Sequence, residues 1–515
     1  MDVAIEASGL QEEKQLRVRS DILEANLEGQ YTYLGMSRIF SHHFKKYLIP
    51  ERYRDTLQSP VNFSYDLTFK NSSALSQALI PELLIEPGTH VQGEYRDGEN
   101  LLRMNLNSDG IRYGANLFQN LDLQWLSGAA DLLNLTLERY QYGEGRHIDS
   151  IQFVNVFAGD SMNYSLDMIL RDSIDSYGSF EGLIAILDSN AYRMQFDRGD
   201  MLFGNRSFKL DTGSVMRVDS SGFSIDWLKI SGPSLALTAA GYISKDPNQI
   251  LRLNVRGLDL DFLNYFQESR KAFIQGNLEG NIIATELLTN PRFEADIEVD
   301  SLQLNQVHMG RLDLRSDYSY DDSKINIDAL LKLGELEMLN ANGFYDSQGI
   351  GNIDLTFKFN RFYLAALDPF AAPVAENLRG QASGTVTMKG PARKPDIKGE
   401  FLLPKAGLTI SFLQTDYNLV GQPKLLLDNE SIRFPNLKLV DANHNVGYLN
   451  GEVRHRAFKD FYIDLNIDAQ QLLVLNTGPD REDAYYGTAL ASGNLKVQGP
   501  PSRVKVYADV RSERG

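Results

Sequence analysis

The residues in this sequence that could do acid–base or metal chemistry are scattered. There are seven histidines. His42 and His43 are neighbours in a helical pattern, so their side chains diverge and cannot close on one ion. Asp259 with Asp261, and the pair Asp321-Asp322, bring carboxylates together as calcium binding or general acid–base work would require. Both pairs flank turns or helix starts, where Asp caps backbone amides, and we assign them that role. The chain contains no Gly-x-Ser-x-Gly elbow, no Walker loop, no Gly-x-Gly-x-x-Gly and no His-Glu-x-x-His. With no cysteine, disulfides and thiolate metal sites are excluded. The sequon Asn71-Ser72-Ser73 has meaning only in a glycosylating host. We therefore assign no catalytic residue, no metal ligand and no cofactor, and expect a non-enzymatic protein.

Composition narrows the partners. Of 515 residues, 43% are hydrophobic and 23% charged, which is globular composition with ample material for a core. The formal charge of −17 argues against a nucleic-acid partner, which needs clustered Lys and Arg, and against a polybasic lipid-docking patch. No stretch has the length of apolar sequence that a membrane helix needs, and no charged-then-apolar signal segment opens the chain. The first residues already alternate, with Val3, Ile5 and Ala7 between Asp2, Ala4 and Glu6. We expect a piece of a longer protein.

The elements that must position any site are strands. Leu251, Leu253 and Val255 alternate with Arg252, Asn254 and Arg256. Ile353, Leu355, Phe357 and Phe359 are interleaved with polar residues, as are Ile463, Leu465, Ile467 and Ala469. Similar runs occur at Phe63–Phe69, Leu133–Leu137, Ala295–Val299, Leu312–Leu314, Leu495–Val497 and Val504–Tyr507. Successive strand side chains face opposite ways, so each run has one apolar and one wet face. This pattern marks antiparallel sheet solvated on one side. Asn71-Ser72-Ser73, Ser108-Asp109-Gly110 and Asp346-Ser347-Gln348-Gly349 read as turns. Period two does not separate two sheets sharing a sandwich core from a single sheet with an open apolar furrow.

Three helical patterns interrupt the strands. Met36–Leu48 places Met36, Ile39, Phe40, Phe44, Tyr47 and Leu48 on one face, with Pro50 as its stop. The others are Asp259–Ile274 and Tyr363–Leu378, the latter broken by Pro369 and Pro373. Short amphipathic helices on a sheet are expected to plug the end of its core.

A repeat is also legible. Gly276-Asn277-Leu278-Glu279-Gly280, Gly380-Gln381-Ala382-Ser383-Gly384 and Ala489-Leu490-Ala491-Ser492-Gly493 read as turns at similar intervals. Each is followed at one fixed offset by Pro291, Pro395 or Val504 and a strand. The implied organisation is a divergent N-terminal segment, residues 1–257, with a helix near 36–48, then a repeat unit 258–379, a second 380–488, and the start of a third at 489–515. Strands every ten to twelve residues would stack, at about 4.8 Å each, into an object on the order of 150 Å long.

The stretch from Leu378 to Pro391, with Gly380, Gly384 and Gly390-Pro391, continues into Pro395-Asp396-Ile397-Lys398-Gly399. It resembles the repeated signature of TamB proteins: a Gly-containing turn, a strand closing in Gly-Pro, then P-x-(I/V)-x-G and another strand. Asn429–Pro435 and Leu449–His455 resemble the C-terminal portion of such proteins. The third copy departs from the signature at Ala489 and Val504. The likeness covers about residues 258–515. It implies an all-β fold: an elongated, twisted, mainly antiparallel sheet curled into a trough with an apolar inside and a few short amphipathic helices. The implied setting is the periplasm of a Gram-negative bacterium, between an inner-membrane anchor outside this sequence and a TamA/BamA-type outer-membrane barrel. The implied role is to carry phospholipid acyl chains in the groove during outer-membrane biogenesis; the alternative is a chaperone or scaffold for outer-membrane β-barrel proteins. The groove candidates are Leu253, Val255, Ile297, Val299, Leu312, Leu314, Ile353, Leu355, Phe357, Ile463, Leu465 and Ile467.

Overall fold

A computed structural model describes residues 3–9, 13–53, 61–71, 82–128, 131–142, 146–171, 175–266, 273–349, 351–372, 374–411, 413–456, 459–478 and 487–514. The chain is all-β, with antiparallel pairing and few short helices. Two compact units divide it, Met1–Leu251 and Arg252–Gly515.

In the first unit, strands pair with their neighbours in sequence, because short turns make the next strand the nearest partner. Val3–Ser8, Lys14–Ser20, Leu23–Gln30 and Asn62–Phe69 pair in turn, and the meander runs on to Gly222–Ser231 and Ala236–Ser244. Some rungs are broken strands. Leu83–Ile85 and His90–Arg96 both pair with Leu101–Tyr113. Ser108-Asp109-Gly110 is therefore no turn. It is an irregularity inside that long strand, where the Ser108 hydroxyl accepts from the Gly110 N–H at 3.2 Å. Ser108 also lies 2.6 Å from the Thr89 hydroxyl, beside the break in the partner rung.

The second unit repeats this plan from Ile274–Thr285 to Lys505–Arg514. Ala375–Arg379 and Gln381–Pro391 form one interrupted rung against Asp396–Leu402 and Gly407–Ile410. Of the motif glycines read as turns, Gly276, Gly280, Gly384 and Gly493 lie within strands, and Gly380 is the bend between Ala375–Arg379 and Gln381–Pro391. Gly280 pairs with Ile297, Gly384 with Phe401 and Gly493 with Val510, at the same offset each time. The next rung passes close there: a Cβ on Gly384 would lie 2.0 Å from the Glu400 carbonyl oxygen. Asp346–Gly349 is a turn as expected, with Asp346 accepting from the Gln348 N–H at 3.0 Å.

The helical segments sit on these sheets. Helix α1, Tyr33–Lys45, is capped by Thr32, whose hydroxyl accepts from the Gly35 N–H at 3.0 Å. It starts three residues before the sequence pattern did, because the cap and not the first apolar residue sets its beginning. Residues 260–266 form a 3₁₀ turn, and Ile274 already belongs to a strand; residues 267–272 of that expected helix lie outside the described residues. The third pattern splits into a 3₁₀ turn, Leu364–Leu367, and one helical turn, Asp368–Ala371, whereas Ala375–Arg379 is a strand. Pro369 fits a helix start, and the Asp368 carboxylate then accepts from the N–H groups of Asn377 and Leu378, at 3.2 and 2.7 Å, which ends the helix.

Candidate apolar binding face

Pairing in register turns the alternation of single strands into rows that cross the sheet. In the second unit one row runs from Gly280 to Ile297, Leu314, Ala329, Ala341, Phe357 and Val386. It continues through Gly399, Leu427, Ile432, Val453 and Ile463. A parallel row links Val299, Leu312, Leu331, Leu339 and Phe359. Leu355 stands between Gly343 and Met388, and Ile353 between Tyr345 and Gly390. Leu465 faces Gly451 and Val497, and Ile467 faces Leu449 and Leu495. Leu253 and Val255 lie on the strand Ile250–Asp259.

The opposite face is polar and tied across rungs by ion pairs: Lys389 with Asp354 at 3.1 Å, Lys424 with Glu400 at 2.8 Å, and Arg311 with Glu298, while Arg311 also pairs with Asp313 on its own strand. Such exposed pairs contribute about 0–1 kcal/mol each, and they keep this face wet.

Burial along the apolar face is uneven. Val299, Ile463 and Ile467 are buried, whereas Leu253, Val255, Ile297, Leu312, Leu314, Ile353, Leu355, Phe357 and Leu465 are only half-buried. The inner positions of a two-sheet sandwich interdigitate and lose nearly all contact with solvent. The buried stretches have identifiable covers. Ala366 in the 3₁₀ turn is fully buried against Met309, Leu331, Met338 and Phe362, and its carbonyl accepts from Asn305 Nδ2 at 2.7 Å. Farther along, the long strand Lys459–Thr477 reaches back past two rungs. Tyr417 Oη donates to the Leu473 carbonyl at 2.6 Å, and Ile467 and Leu472 join Tyr417, Leu437 and Leu439 in one core. Burial pushes the Tyr417 hydroxyl up to about 12, so it remains a donor.

The first unit carries an equivalent face for which the strand alternation gave no candidates. Leu16, Leu27, Tyr65, Gly93, Met104, Trp125 and Leu133 form one row. Tyr65 lies across Gly93, and its hydroxyl donates to the Arg103 carbonyl at 3.0 Å. Helix α1 covers a portion of this face through Met36, Ile39 and Phe40. Its C-terminal end is anchored by polar contacts. His43 Nδ1 lies 2.8 Å from Ser127 Oγ, Lys46 pairs with Asp131 at 3.3 Å, and Trp125 Nε1 donates to Tyr47 Oη at 3.0 Å. Burial, with Lys46 and His42 nearby, pushes the His43 imidazole down to about 3 and keeps it neutral.

Between α1 and the sheet is an apolar cavity of about 260 Å³, lined by Leu16, Ala25, Asn26, Leu27, Met36, Phe40, Tyr65, Leu67, Val91 and Met104. The signals that could have located it were the run Phe63–Phe69 and the apolar face of the helix, taken together.

The fold and face define an all-β meander with one polar and one apolar side, and its described residues bring no three potential metal-ligating side chains together. Residues 435–515 match the family model of the TamB C-terminal domain, so this segment is similar to that domain. No curated protein and no solved structure matches the chain.

Proposed function

We propose that the chain is a non-enzymatic, periplasmic carrier of phospholipid acyl chains, its apolar face forming the floor of a trough between inner and outer membranes. The observation that carries this reading is the unbroken apolar row from Ile297 through Leu314, Phe357 and Val386, in which the large side chains of Ile297, Leu314 and Phe357 remain half-buried. Moving a hydrocarbon chain through water costs roughly 0.8 kcal/mol per CH₂, so a two-chain lipid faces about 20 kcal/mol or more. A continuous apolar row divides that barrier into small steps, with the headgroup in solvent throughout. In the parent protein an inner-membrane anchor and a TamA/BamA-type barrel would supply the two ends of the path.

The test is photo-crosslinking from Leu355 and Leu465. Labelled phospholipid should be captured at both positions, and mass spectrometry should find co-purified lipid depleted in Leu355→Asp. Capture of unfolded outer-membrane barrel protein without any lipid would instead make this face a chaperone surface and end the carrier reading.

A further inference from the structure

The cavity beneath α1 has a form that the open face of the second unit lacks. Its wall crosses five successive rungs, from Leu16 on the first through Leu27, Tyr65 and Val91 to Met104 on the last. Four steps of about 4.8 Å give roughly 19 Å, a little more than one leaflet of a hydrocarbon core about 30 Å thick. The cavity's 260 Å³ lies just below the ~300 Å³ at which sites for drug-sized molecules begin. Its wall is long enough to lie along one extended acyl chain. Its lining is apolar except at Asn26, so nothing inside would hold a headgroup.

The polar end is adjacent. Leu16 is shared with a second cavity of about 420 Å³, bounded by Ala7, Ser8, Lys14, Gln15 and Tyr31–Tyr33. Lys14 stands in its wall, with Nζ donating to the Tyr31 carbonyl at 3.0 Å and lying 5.8 Å from the centre of the Tyr31 ring. A cation and several hydroxyls thus line the space that adjoins the apolar slot at Leu16.

We infer that the space under α1 is a binding site for the single hydrocarbon tail of an anionic amphiphile, a long-chain carboxylate or a phosphate-bearing lysolipid, with its charged end at Lys14. The site rests on the acyl-chain reading above but differs in holding one chain under a roof, Met36 and Phe40, instead of passing it along. Neither the open row nor Leu355 contributes to it.

Trp125 provides the probe. It is the register partner of Met104, and the chain has only one other tryptophan, Trp227. In the full chain carrying Trp227→Phe, a fatty acid brominated along its tail should quench Trp125 saturably below its micelle concentration. Unbrominated palmitate should reverse the quenching, and octanoate should not. Ala25→Phe, which fills the slot, should abolish it. Lys14→Gln should weaken the carboxylate and a lysophosphatidyl lipid about 2- to 5-fold and leave the uncharged long-chain alcohol unchanged. The relative affinities of the carboxylate and the lysophosphatidyl lipid then decide which anionic group the site takes. Absence of quenching, or equal competition by octanoate and palmitate, overturns the site, and neither result depends on whether Ala25→Phe folds. Crosslinking of lipid at Leu355 alongside a silent Trp125 would sink this site and leave the carrier function standing.

Discussion

Acid should loosen the seat of helix α1 through one side chain. His43 is completely buried, faces Ser127 and the Tyr95 ring, and has Lys46 and His42 close by, with Asp131 paired to Lys46. Its imidazole titrates at about 3 in the folded protein, against an ordinary value of 6.5. The folded state therefore disfavours the proton that the unfolded state accepts. The resulting stabilisation is complete above pH 6.5 and is lost progressively as pH falls toward 3. At pH 5 an unfolded imidazole is nearly all protonated. The gap from 6.5 to 5, at about 1.36 kcal/mol per pH unit, puts the loss near 2 kcal/mol. Urea unfolding of the first unit, followed by Trp125 fluorescence in the Trp227→Phe background at pH 7 and pH 5, measures it directly. His43→Asn keeps a neutral polar atom near Ser127 and removes the titration. The parent should lose about 2 kcal/mol more than this variant on acidification, after the shared contributions of the other histidines cancel. Parallel pH profiles for the two proteins would refute the argument.

Three other outcomes follow from the packing. Lys46→Met leaves Asp131 buried without its cation and should cost about 3–5 kcal/mol, most of it recovered in Lys46→Met/Asp131→Leu; a double-mutant cycle by urea denaturation checks the coupling. Leu472→Ala, at a fully buried position in the core around Tyr417, should cost about 2–5 kcal/mol by chemical denaturation of the second unit. Gly384→Val drives a Cβ into the Glu400 carbonyl and should cost about 1–3 kcal/mol or more in a thermal melt, whereas Gly349→Ala, in an open turn, should cost less.

Strand alternation was the feature most legible in the sequence, because side-chain direction along a strand is set by the backbone alone. Leu355 and Phe357, or Leu465 and Ile467, share a face wherever their strand is placed. Gly280, Gly384 and Gly493 read as turns in the sequence, yet they lie within strands. Gly384 owes its identity to a neighbouring rung about seventeen positions further on, and nothing local announces that approach. The long strand through Ser108-Asp109-Gly110 misled for a related reason, since turn-forming residues also serve where a rung is broken and its partner must adapt. Depth of burial was beyond reach of any local pattern. Ile463 and Leu465 have the same type and phase, yet one is buried and the other half-buried, because the cover depends on which distant segment crosses above.

That unevenness bears on function. An apolar sheet face in water must be covered, and in a sandwich a second sheet covers it uniformly. Here the cover is piecemeal: α1 over Tyr65, Tyr95 and Trp125, the turn at Leu364–Leu367 over Met309 and Met338, and the returning strand over Tyr417. Between them, Leu314, Phe357 and Leu355 keep some of their surface open, at a cost of about 25 cal/mol for each Å² of apolar area left wet. Several row partners are small: Ala329 and Ala341 between Leu314 and Phe357, and Gly343 beside Leu355, where a Cβ would meet the Asp354 carbonyl oxygen. Small residues among half-open large ones leave room along the row, and an acyl chain lying there would bury the surface that the protein leaves uncovered.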